Sequence, residues 1–449
     1  MACVKRRVVI TGIGPATAIG IGKKDFSAGI FGLKTCLAKI PKSYEQNYMF
    51  KSRYFVPKPK FSLTDLGFHK SVEGMMEEVS RISVLCTMLA LQDAGFKISN
   101  GDKYMQVEGL QNCGTIIGIG MSSLQTAFDS YTAHIADSRV SASEPRSTLE
   151  SSPNSDPDQS LNTNSNPNKP RFNRMVIPML MTNSPAAWIS ILFGLKGFSY
   201  TLNASCASGS YALGEAYRTI SDGRCDMSLT GGVEALAEKN GAIMRGFDML
   251  STLTRAEDGR PQPFSHQRSG FLFNEGAGCV LVLEELERAR SRGAEIYAEV
   301  VRYEAGSDNY SIVQMDPSGD NIASLFGKIC RGIKVDYLNA HGTATPTNDD
   351  IESRVIQRIF GDKSTQPFIN STKGILGHSI GASGALEAAV TALSIKESRI
   401  HGNLTSEPMG NLNLPMETLK TPIEYALSAS YGFGGHNALI LFKRYLEDE

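Results

Sequence analysis

The sequence lacks both a large net charge and an apolar run long enough to cross a membrane. Its 449 residues include 45 Lys and Arg against 46 Asp and Glu, which gives a formal net charge of −1. Bulk charge therefore supplies no attraction to nucleic acid or to an anionic membrane surface. The amino end, MACVKRRVVITGIG, also lacks the longer apolar segment of a secretory leader. We expect a cytoplasmic protein with no nucleic-acid partner and no membrane span.

Paired cysteines are also missing. The eight cysteines are scattered and none forms a CxxC pair, which argues against a zinc site and against a disulfide framework. They are Cys3, Cys36, Cys86, Cys113, Cys206, Cys225, Cys279 and Cys330. We therefore expect no metal and a reducing compartment.

The glycine-rich stretches lack the complete fingerprint of a dinucleotide site. GIGPATAIG follows a strand-like run, but Thr17 stands where the third glycine belongs, and Ser123 does so after Gly118 and Gly120. No GxxxxGK[ST] loop is present either. We interpret these glycines as sites of tight strand ends and close packing.

The composition changes after residue 138. The tract SASEPRSTLESSPNSDPDQSLNTNSNPNKP is mostly Ser, Asn, Pro and Asp, so residues 140–170 are predicted to form a disordered surface insertion. Its tail carries Lys169, Arg171 and, a little further on, Arg174. Those charges form either a solvated face or a docking patch for an acidic partner.

Elsewhere, strand-like and helix-like segments alternate. Apolar residues make up 41% of the chain and charged residues 20%, as in globular proteins with a substantial core. VKRRVVITGIG reads as a buried strand ending in glycines, and EEVSRISVLCTMLALQDAG as an amphipathic helix. The alternation runs twice, which predicts a duplicated α/β core of residues 1–288 and 289–449.

One thiol lies among small residues just before a helix-like run. In NASCASGS, Cys206 precedes YALGEAYRTISDG. A free cysteine is often an inert small core residue, whereas one at a helix amino end feels the positive end of the helix dipole, which favours the thiolate. Both interpretations stand on this segment alone.

Two histidines lie in glycine-flanked turns after predicted strands. NAHGTATPTNDD carries His341, and NSTKGILGHSIGASGALEAAV carries Lys373, His378 and Glu387. Ligands of open α/β sheets bind at strand ends, so these side chains and Cys206 are candidates for one site. A single loop histidine is more often structural, but three such residues together favour chemistry.

These segments resemble a known family. ASCASG, NAHGTATP, STKGILGHSIGASG and YGFGGHN are similar, in order and spacing, to four sequence blocks of the β-ketoacyl-acyl carrier protein synthases. The likeness is to the KAS I/II branch, which includes polyketide ketosynthases, within the thiolase superfamily. It implies a thiolase-like α/β fold of two duplicated βαβα halves in five layers, α-β-α-β-α. It also implies a dimer, with itself or with a related subunit.

The resemblance implies decarboxylative Claisen condensation without a cofactor. Cys206 matches the acyl-accepting nucleophile, whose pKa the helix dipole can lower, and the backbone N–H groups of Cys206 and Phe433 match the oxyanion hole. His341 and His378 match the two histidines that stabilise the enolate of a malonyl thioester. Lys373, paired with Glu387, matches a lysine that holds the histidines, although an ordinary structural ion pair explains the same two residues.

Further positions match by likeness alone. Thr343 and Thr345 match threonines that bind the pantetheine arm of the acyl carrier protein, the expected partner. Met121 and Phe247 are candidates for the acyl pocket, and ordinary core positions explain them equally well. Tyr431 stands where many relatives carry a gating phenylalanine.

The chain also departs from the family pattern. Besides Tyr431, it has Ser265 and Ser269 where relatives often carry aspartate, and Asn274 replaces the first glycine of GEG. These departures favour a specialised ketosynthase of a secondary pathway over a housekeeping enzyme. The alternative function is a non-condensing partner subunit of a ketosynthase heterodimer, which would lack the nucleophile. A thiolase needs a second cysteine near the carboxyl end, whereas the last one here is Cys330.

Overall fold

A computed structural model describes residues 5–101, 104–110, 112–121, 124–143 and 172–447. Among these residues, no helix combines the length and the apolar character that crossing a membrane requires. The cysteines described are all free thiols: Cys36, Cys86, Cys113, Cys206, Cys225, Cys279 and Cys330.

The secondary structure alternates between strands and helices throughout. The strands are β1 (Val8–Thr17), β2 (Gly20–Ile21), β3 (Ala38–Lys39), β4 (Tyr54–Phe55), β5 (Ile98–Asn100), β6 (Met105–Val107), β7 (Gly114–Ile119), β8 (Ser199–Leu202), β9 (Met227–Ala235), β10 (Gly276–Glu285), β11 (Ala298–Ser307), β12 (Tyr337–Asn339), β13 (Phe368–Asn370), β14 (Arg399–Ile400), β15 (Leu419–Lys420), β16 (Tyr425–Gly432) and β17 (His436–Lys443). The helices are α1 (Lys23–Phe31), α2 (Lys70–Glu73), α3 (Glu78–Asp93), α4 (Leu124–Ser143), α5 (Val176–Leu180), α6 (Ser184–Phe193), α7 (Ser208–Ser221), α8 (Ala242–Met249), α9 (Leu286–Ser291), α10 (Asp320–Ile329), α11 (Pro346–Phe360), α12 (Lys373–Leu376) and α13 (Ser383–Glu397). The described part of the chain also contains the short 3₁₀ turns Thr64–Leu66, Ser205–Ala207 and Ile380–Ala382.

The insertion predicted at residues 140–170 lies outside the described residues, apart from its first four, which belong to the end of α4. Lys169 and Arg171 lie outside them as well, whereas Arg174 is described and exposed.

The main sheet repeats one pattern of strand pairing. Its first half has the order β8-β7-β9-β10-β1 and its second half the order β13-β12-β16-β17-β11. In each half the first three strands are parallel, and the last two pairings are antiparallel. The halves join where Val8–Ile10 of β1 pairs with Ala298–Val300 of β11. The chain is therefore a structural duplication.

The helices form layers between and outside the two halves of this sheet. Helices α7 and α13 pack on each other and contact strands of both halves, so they lie between the halves. Helices α3 and α6 pack together on the first half, and α10 and α11 on the second. The predicted five-layer, thiolase-like α/β fold is thus confirmed. The division of the chain between residues 288 and 289 stays a prediction.

The packing of α3 on β1 explains the first glycine-rich stretch. All ten residues of β1 are buried, and the strand continues through Gly12 and Gly14 to Thr17, so the predicted strand end at the glycines was wrong. A Cβ on Gly14 would lie 2.0 Å from the Cys86 carbonyl oxygen, and one on Gly12 would lie 2.3 Å from that of Ala90. These glycines permit close packing of the helix.

Candidate active site

Cys206 lies in a tight turn between β8 and the amino end of α7. Ser205, just before it, has a φ of 53°, and its N–H donates to Asn203 Oδ1 at 2.9 Å. The Ser208 hydroxyl donates to the Ser205 carbonyl at 2.7 Å and accepts the Ala204 N–H at 2.9 Å. This left-handed conformation at Ser205 is maintained by side-chain hydrogen bonds. The turn sets the sulfur at the start of the helix, with 5% of the residue exposed.

The turn leaves room for a second backbone segment. A Cβ on Gly432, at the end of β16, would lie 2.7 Å from the Ala204 carbonyl oxygen and 3.1 Å from the Cys206 nitrogen. Glycine is therefore required for this approach, which brings the Phe433 N–H within hydrogen-bonding range of the Cys206 sulfur. The two N–H groups predicted to form an oxyanion hole thus lie beside the same sulfur.

His341 follows β12 and is fixed through its backbone. The His341 N–H donates to Glu352 Oε1 at 2.9 Å and the Gly342 N–H to Glu352 Oε2 at 2.8 Å. Burial raises the pKa of the Glu352 carboxyl to about 7, and these N–H groups oppose that rise. A buried acid on α11 therefore orients the loop that carries the imidazole.

Lys373 determines which nitrogen of His341 holds the proton. Its ammonium donates to the His341 carbonyl at 2.8 Å, lies 3.2 Å from Nδ1 and contacts the Glu387 carboxylate. An ammonium has only donors, so Nδ1 must accept and the proton resides on Nε2. Lys373 is 2% and Glu387 1% exposed, which makes this a buried ion pair.

His378 follows α12 and is oriented by a hydroxyl and a ring. Its Nδ1 lies 3.0 Å from Ser383 Oγ, and its ring packs edge-on against Phe271 at 4.9 Å between centroids. The Ser383 hydroxyl already accepts the Ser379 N–H at 3.2 Å and has its own proton to donate. When this hydroxyl donates to Nδ1, His378 carries its own proton on Nε2, as His341 does.

The three candidate side chains meet in one cavity of about 360 Å³. Cys206, His341 and His378 all line it, and the two imidazole rings lie 5.8 Å apart and nearly perpendicular. Thr343 and Thr345 line the same cavity, with their hydroxyls 2.9 Å apart. Residues distant in sequence are thus brought to one point in the fold.

A second cavity, of about 320 Å³, shares lining residues with the first, among them Cys206. Met121 lines this second cavity, Phe247 lines both, and Tyr431 lines the first. The Tyr431 ring lies 5.2 Å from that of His341, and its hydroxyl is buried beside the Glu352 carboxyl. The second cavity offers mostly apolar surface beside the sulfur.

The electrostatics of the cavity keep both imidazoles neutral. Burial and the Lys373 charge hold the pKa of His341 and that of His378 well below the ordinary value. Burial raises the pKa of the Cys206 thiol to about 11, against the lowering by Ser205, Lys373 and the Phe433 N–H. Loss of solvent outweighs these local donors, so the net pKa of the thiol lies above its ordinary value, and the lowering expected from the helix end stays a prediction. Two neutral N–H donors and a protonated thiol form the resting site.

Three buried acids of the site were missed from the sequence. Glu352 and Asp349 lie on the first turns of α11, and Asp349 accepts the N–H groups of Phe264 at 2.7 Å and Ala344 at 3.1 Å. Glu234 in β9 accepts those of Gly120, Met121 and Gly381 at 2.9–3.0 Å. Two signals were available in the sequence. Glu234 is the one ionisable residue in an otherwise uncharged strand, and the acidic run NDDIE directly follows the His341 motif.

At two positions where the chain departs from the family pattern, a serine hydroxyl takes part in local hydrogen bonds. Ser265 Oγ donates to the Ser406 carbonyl at 2.5 Å and accepts the Gln267 N–H at 3.0 Å. Ser269 Oγ accepts the Arg255 N–H at 2.9 Å. Hydroxyls therefore satisfy backbone groups at both positions.

A cysteine at a helix start and two neutral imidazoles, on a duplicated five-layer fold, define the class of carbon–carbon condensing enzymes. The profile of the beta-ketoacyl synthase N-terminal domain matches residues 5–289, and that of the C-terminal domain matches residues 297–407. The chain belongs to the beta-ketoacyl synthase family and is a ketosynthase, an acyltransferase.

Individual relatives agree with this membership. The chain is 30% identical to a 3-oxoacyl-[acyl-carrier-protein] synthase 2 of Synechocystis sp. over 98% of this chain and 99% of the relative. A beta-ketoacyl synthase from Burkholderia phymatum superposes with a TM-score of 0.80 at 28% identity, over 98% of this chain and all of that one. A type II polyketide ketosynthase solved in complex with its acyl-carrier protein gives 0.76 at 25% identity, over the same shares.

Proposed function

We propose that the chain is an elongating ketosynthase, which transfers an acyl group from a carrier-protein thioester to Cys206 and condenses it with a malonyl thioester. The observation that carries this proposal is the single cavity lined by a thiol and two imidazoles. Fatty-acid and polyketide synthesis both use this condensation, and the departures from the family pattern favour a specialised, secondary pathway.

In the first step, the Cys206 sulfur attacks the carbonyl carbon of the incoming thioester. The thiol proton ends on the departing carrier thiol, so the transfer is neutral overall. The developing oxyanion lies beside the N–H groups of Cys206 and Phe433. The mostly apolar cavity lined by Met121 and Phe247 receives the acyl chain.

In the second step, the malonyl thioester loses carbon dioxide and its electron pair becomes an enolate. The Nε2–H groups of His341 and His378 donate to the enolate oxygen, and a water-poor cavity strengthens both hydrogen bonds. Neutral imidazoles suit this role because they supply donors without a second charge that would have to be neutralised. Lys373 holds His341 in that state.

In the third step, the enolate carbon attacks the Cys206 thioester. A carbon–carbon bond forms, the carbon–sulfur bond to Cys206 breaks, and the sulfur takes one proton from solvent to return to its resting state, which is the proton that the decarboxylative condensation consumes overall. The product is a 3-oxoacyl thioester, and no electrons are gained or lost.

The proposed substrate carrier is an acyl carrier protein with a phosphopantetheine arm. Thr343 and Thr345 line the cavity and offer hydroxyls to such an arm. The solved complex of a related ketosynthase with its carrier protein supports this partner. We also propose a dimer, either of two copies or with a related subunit, because the edge of the sheet at β8 exposes Tyr200, and the adjacent α6 exposes Ile191. The proposed location is cytoplasmic.

The experiment that tests the first step is intact mass measurement after incubation with a panel of acyl carrier proteins. The expected result is one added acyl group, absent from Cys206→Ala and retained in Cys36→Ala, a partly exposed cysteine outside this cavity. Acylation of Cys206→Ala at the wild-type level would overturn the proposal.

The competing function is a non-condensing partner subunit. Such a subunit has no use for an acyl-accepting thiol, whereas this chain keeps Cys206 and both imidazoles in one cavity. Labelling of Cys206 by cerulenin, together with 3-oxoacyl product from the purified chain alone, supports the ketosynthase. Product that forms only after a second ketosynthase is added would favour the partner subunit.

A further inference from the structure

Asn274 is a fully buried amide two residues before β10, and the condensation steps above do not use it. It is 1% exposed. Its Nδ2 donates to the Leu376 carbonyl at 2.8 Å, and its Oδ1 accepts the Gly276 N–H at 2.9 Å. The amide therefore links the first residue of β10 to the last carbonyl of α12, across 102 positions of the chain.

The link lies next to residues of the proposed active site. Helix α12 begins at Lys373 and ends at Leu376, and His378 is two residues further on. The last carbonyls of a helix have no partner within it, so a donor such as the Asn274 amide satisfies one of them and holds the end in place. Gly377, between that carbonyl and His378, has a φ of 70°.

The same segment is docked along the strand-like run before Asn274. The His378 N–H donates to the Leu272 carbonyl at 2.8 Å, and Phe273 forms a parallel bridge with His378. The His378 ring packs on Phe271. Asn274 thus supplies a side-chain amide to a contact made largely by backbone groups and an aromatic ring.

We propose that Asn274 is a positioning residue for the decarboxylation step, because its amide fixes the end of α12 and thereby where His378 presents its N–H donor. This inference rests on the proposed function. It assigns Asn274 no contact with substrate and no part in the acylation of Cys206. The two steps should therefore respond differently when the amide is removed.

The test compares carbon dioxide release from malonyl carrier protein with the rate of Cys206 acylation, in wild type and Asn274→Ala. We expect kcat for carbon dioxide release to fall about tenfold or more, since small displacements of a catalytic donor have large effects on rate. The KM for malonyl carrier protein and the acylation rate should stay within about twofold. Thermal unfolding establishes that the compared variants are folded.

Gln366→Ala is the matched control. Gln366 is a buried amide that donates to the Gly361 and Asn411 carbonyls at 2.9 and 3.1 Å, and it does not line the cavity. We expect its loss to lower thermal stability without separating the two steps. The same selective loss of decarboxylation in Gln366→Ala would overturn the positioning role.

Asn274→Asp tests the hydrogen bond that Asn274 donates to the Leu376 carbonyl, and it replaces Asn274→Ala in the comparison if that variant does not fold. An ionised carboxylate cannot donate to the Leu376 carbonyl, whereas a protonated carboxyl can. Relative to wild type, the decarboxylation rate of Asn274→Asp should recover as the pH falls. A folded Asn274→Ala with unchanged decarboxylation, or an Asn274→Asp without pH-dependent recovery, would overturn the inference. Failure of the wild type to acylate Cys206 would instead overturn the proposed function.

Discussion

Lys373 donates to the backbone carbonyl of His341 at 2.8 Å and lies 3.2 Å from its Nδ1. One ammonium therefore fixes the position of the loop and the tautomer of the ring, and its charge opposes formation of an imidazolium. Glu387 neutralises the ammonium in a fully buried environment. The pair lets a cation act on His341 without exposing a free charge to the cavity.

Removing that cation should shift the pH dependence of decarboxylation. In Lys373→Met the pKa of His341 rises from its depressed value, because the positive charge beside the imidazole is gone. Neutral His341 is the active form, so activity should be lost at a higher pH on the acidic side than in wild type. The measurement is carbon dioxide release from malonyl carrier protein across pH.

The control for Lys373→Met addresses folding. Breaking a buried ion pair costs about 3–5 kcal/mol because one charge is left uncompensated. Lys373→Met combined with Glu387→Leu removes both charges and should recover much of that stability while keeping the shifted profile. An unshifted acidic limb in a folded variant would show that Lys373 does not set the state of His341.

Ser205 should affect the reactivity of the nucleophile. Its hydroxyl lies 3.8 Å from the Cys206 sulfur, and this contact lowers the pKa of the thiol against the effect of burial. In Ser205→Ala, alkylation of Cys206 by iodoacetamide at fixed pH should slow by about threefold to tenfold, since the thiolate loses a donor. Ser251→Ala is the matched control, because Ser251 lines the same cavity and also has a positive φ, of 57°. Equal rates for both variants would exclude this role for Ser205.

Gly246 should set the longest acyl chain that the second cavity accepts. It lies in α8 and lines that cavity, and a Cβ placed on it meets nothing within 4 Å. Gly246→Leu therefore adds a side chain at the wall of this cavity, with open space for its Cβ, and also favours the helix by about 1 kcal/mol. Intact mass measurement should show loss of acylation by the longest carrier-bound chains and retention of the short ones.

The control for Gly246→Leu is Gly327→Leu. Gly327 lies in α10, a Cβ added to it likewise meets nothing within 4 Å, and it lines neither cavity. Its substitution should leave the chain-length range unchanged. An unaltered range in Gly246→Leu would place the acyl chain elsewhere.

Glu234 should make stability depend on pH. Burial raises the pKa of its carboxyl from 4.5 to about 7, so the folded state binds a proton that the unfolded state has already released. The stability contributed by protonated Glu234 is complete below about pH 4.5 and is lost as the pH rises through about 7. The stability advantage of wild type over Glu234→Gln should therefore shrink over that interval, as measured by chemical denaturation at several pH values. A constant difference would contradict the assignment.

The sequence predicted those parts of the site that rest on short local patterns. Cys206 before a helix and His341 and His378 in glycine-flanked turns were candidates from their neighbours, and the family resemblance supplied their roles. The alternation of segments predicted the duplicated fold. The role of Glu234 was not predicted, because it depends on three N–H groups that are distant in sequence. The raised pKa of Cys206 was not predicted either, because the burial that raises it comes from tertiary packing.

The most direct test of the central claim separates the thiol from the imidazoles. Wild type, His341→Ala, His378→Ala and the double variant are incubated with acyl and malonyl carrier proteins, and acylation of Cys206 and carbon dioxide release are measured on the same samples. We predict that the variants still acylate Cys206, while carbon dioxide release falls in each single variant and disappears in the double variant. Carbon dioxide release at the wild-type rate without either imidazole would contradict the claim that this cavity performs the condensation.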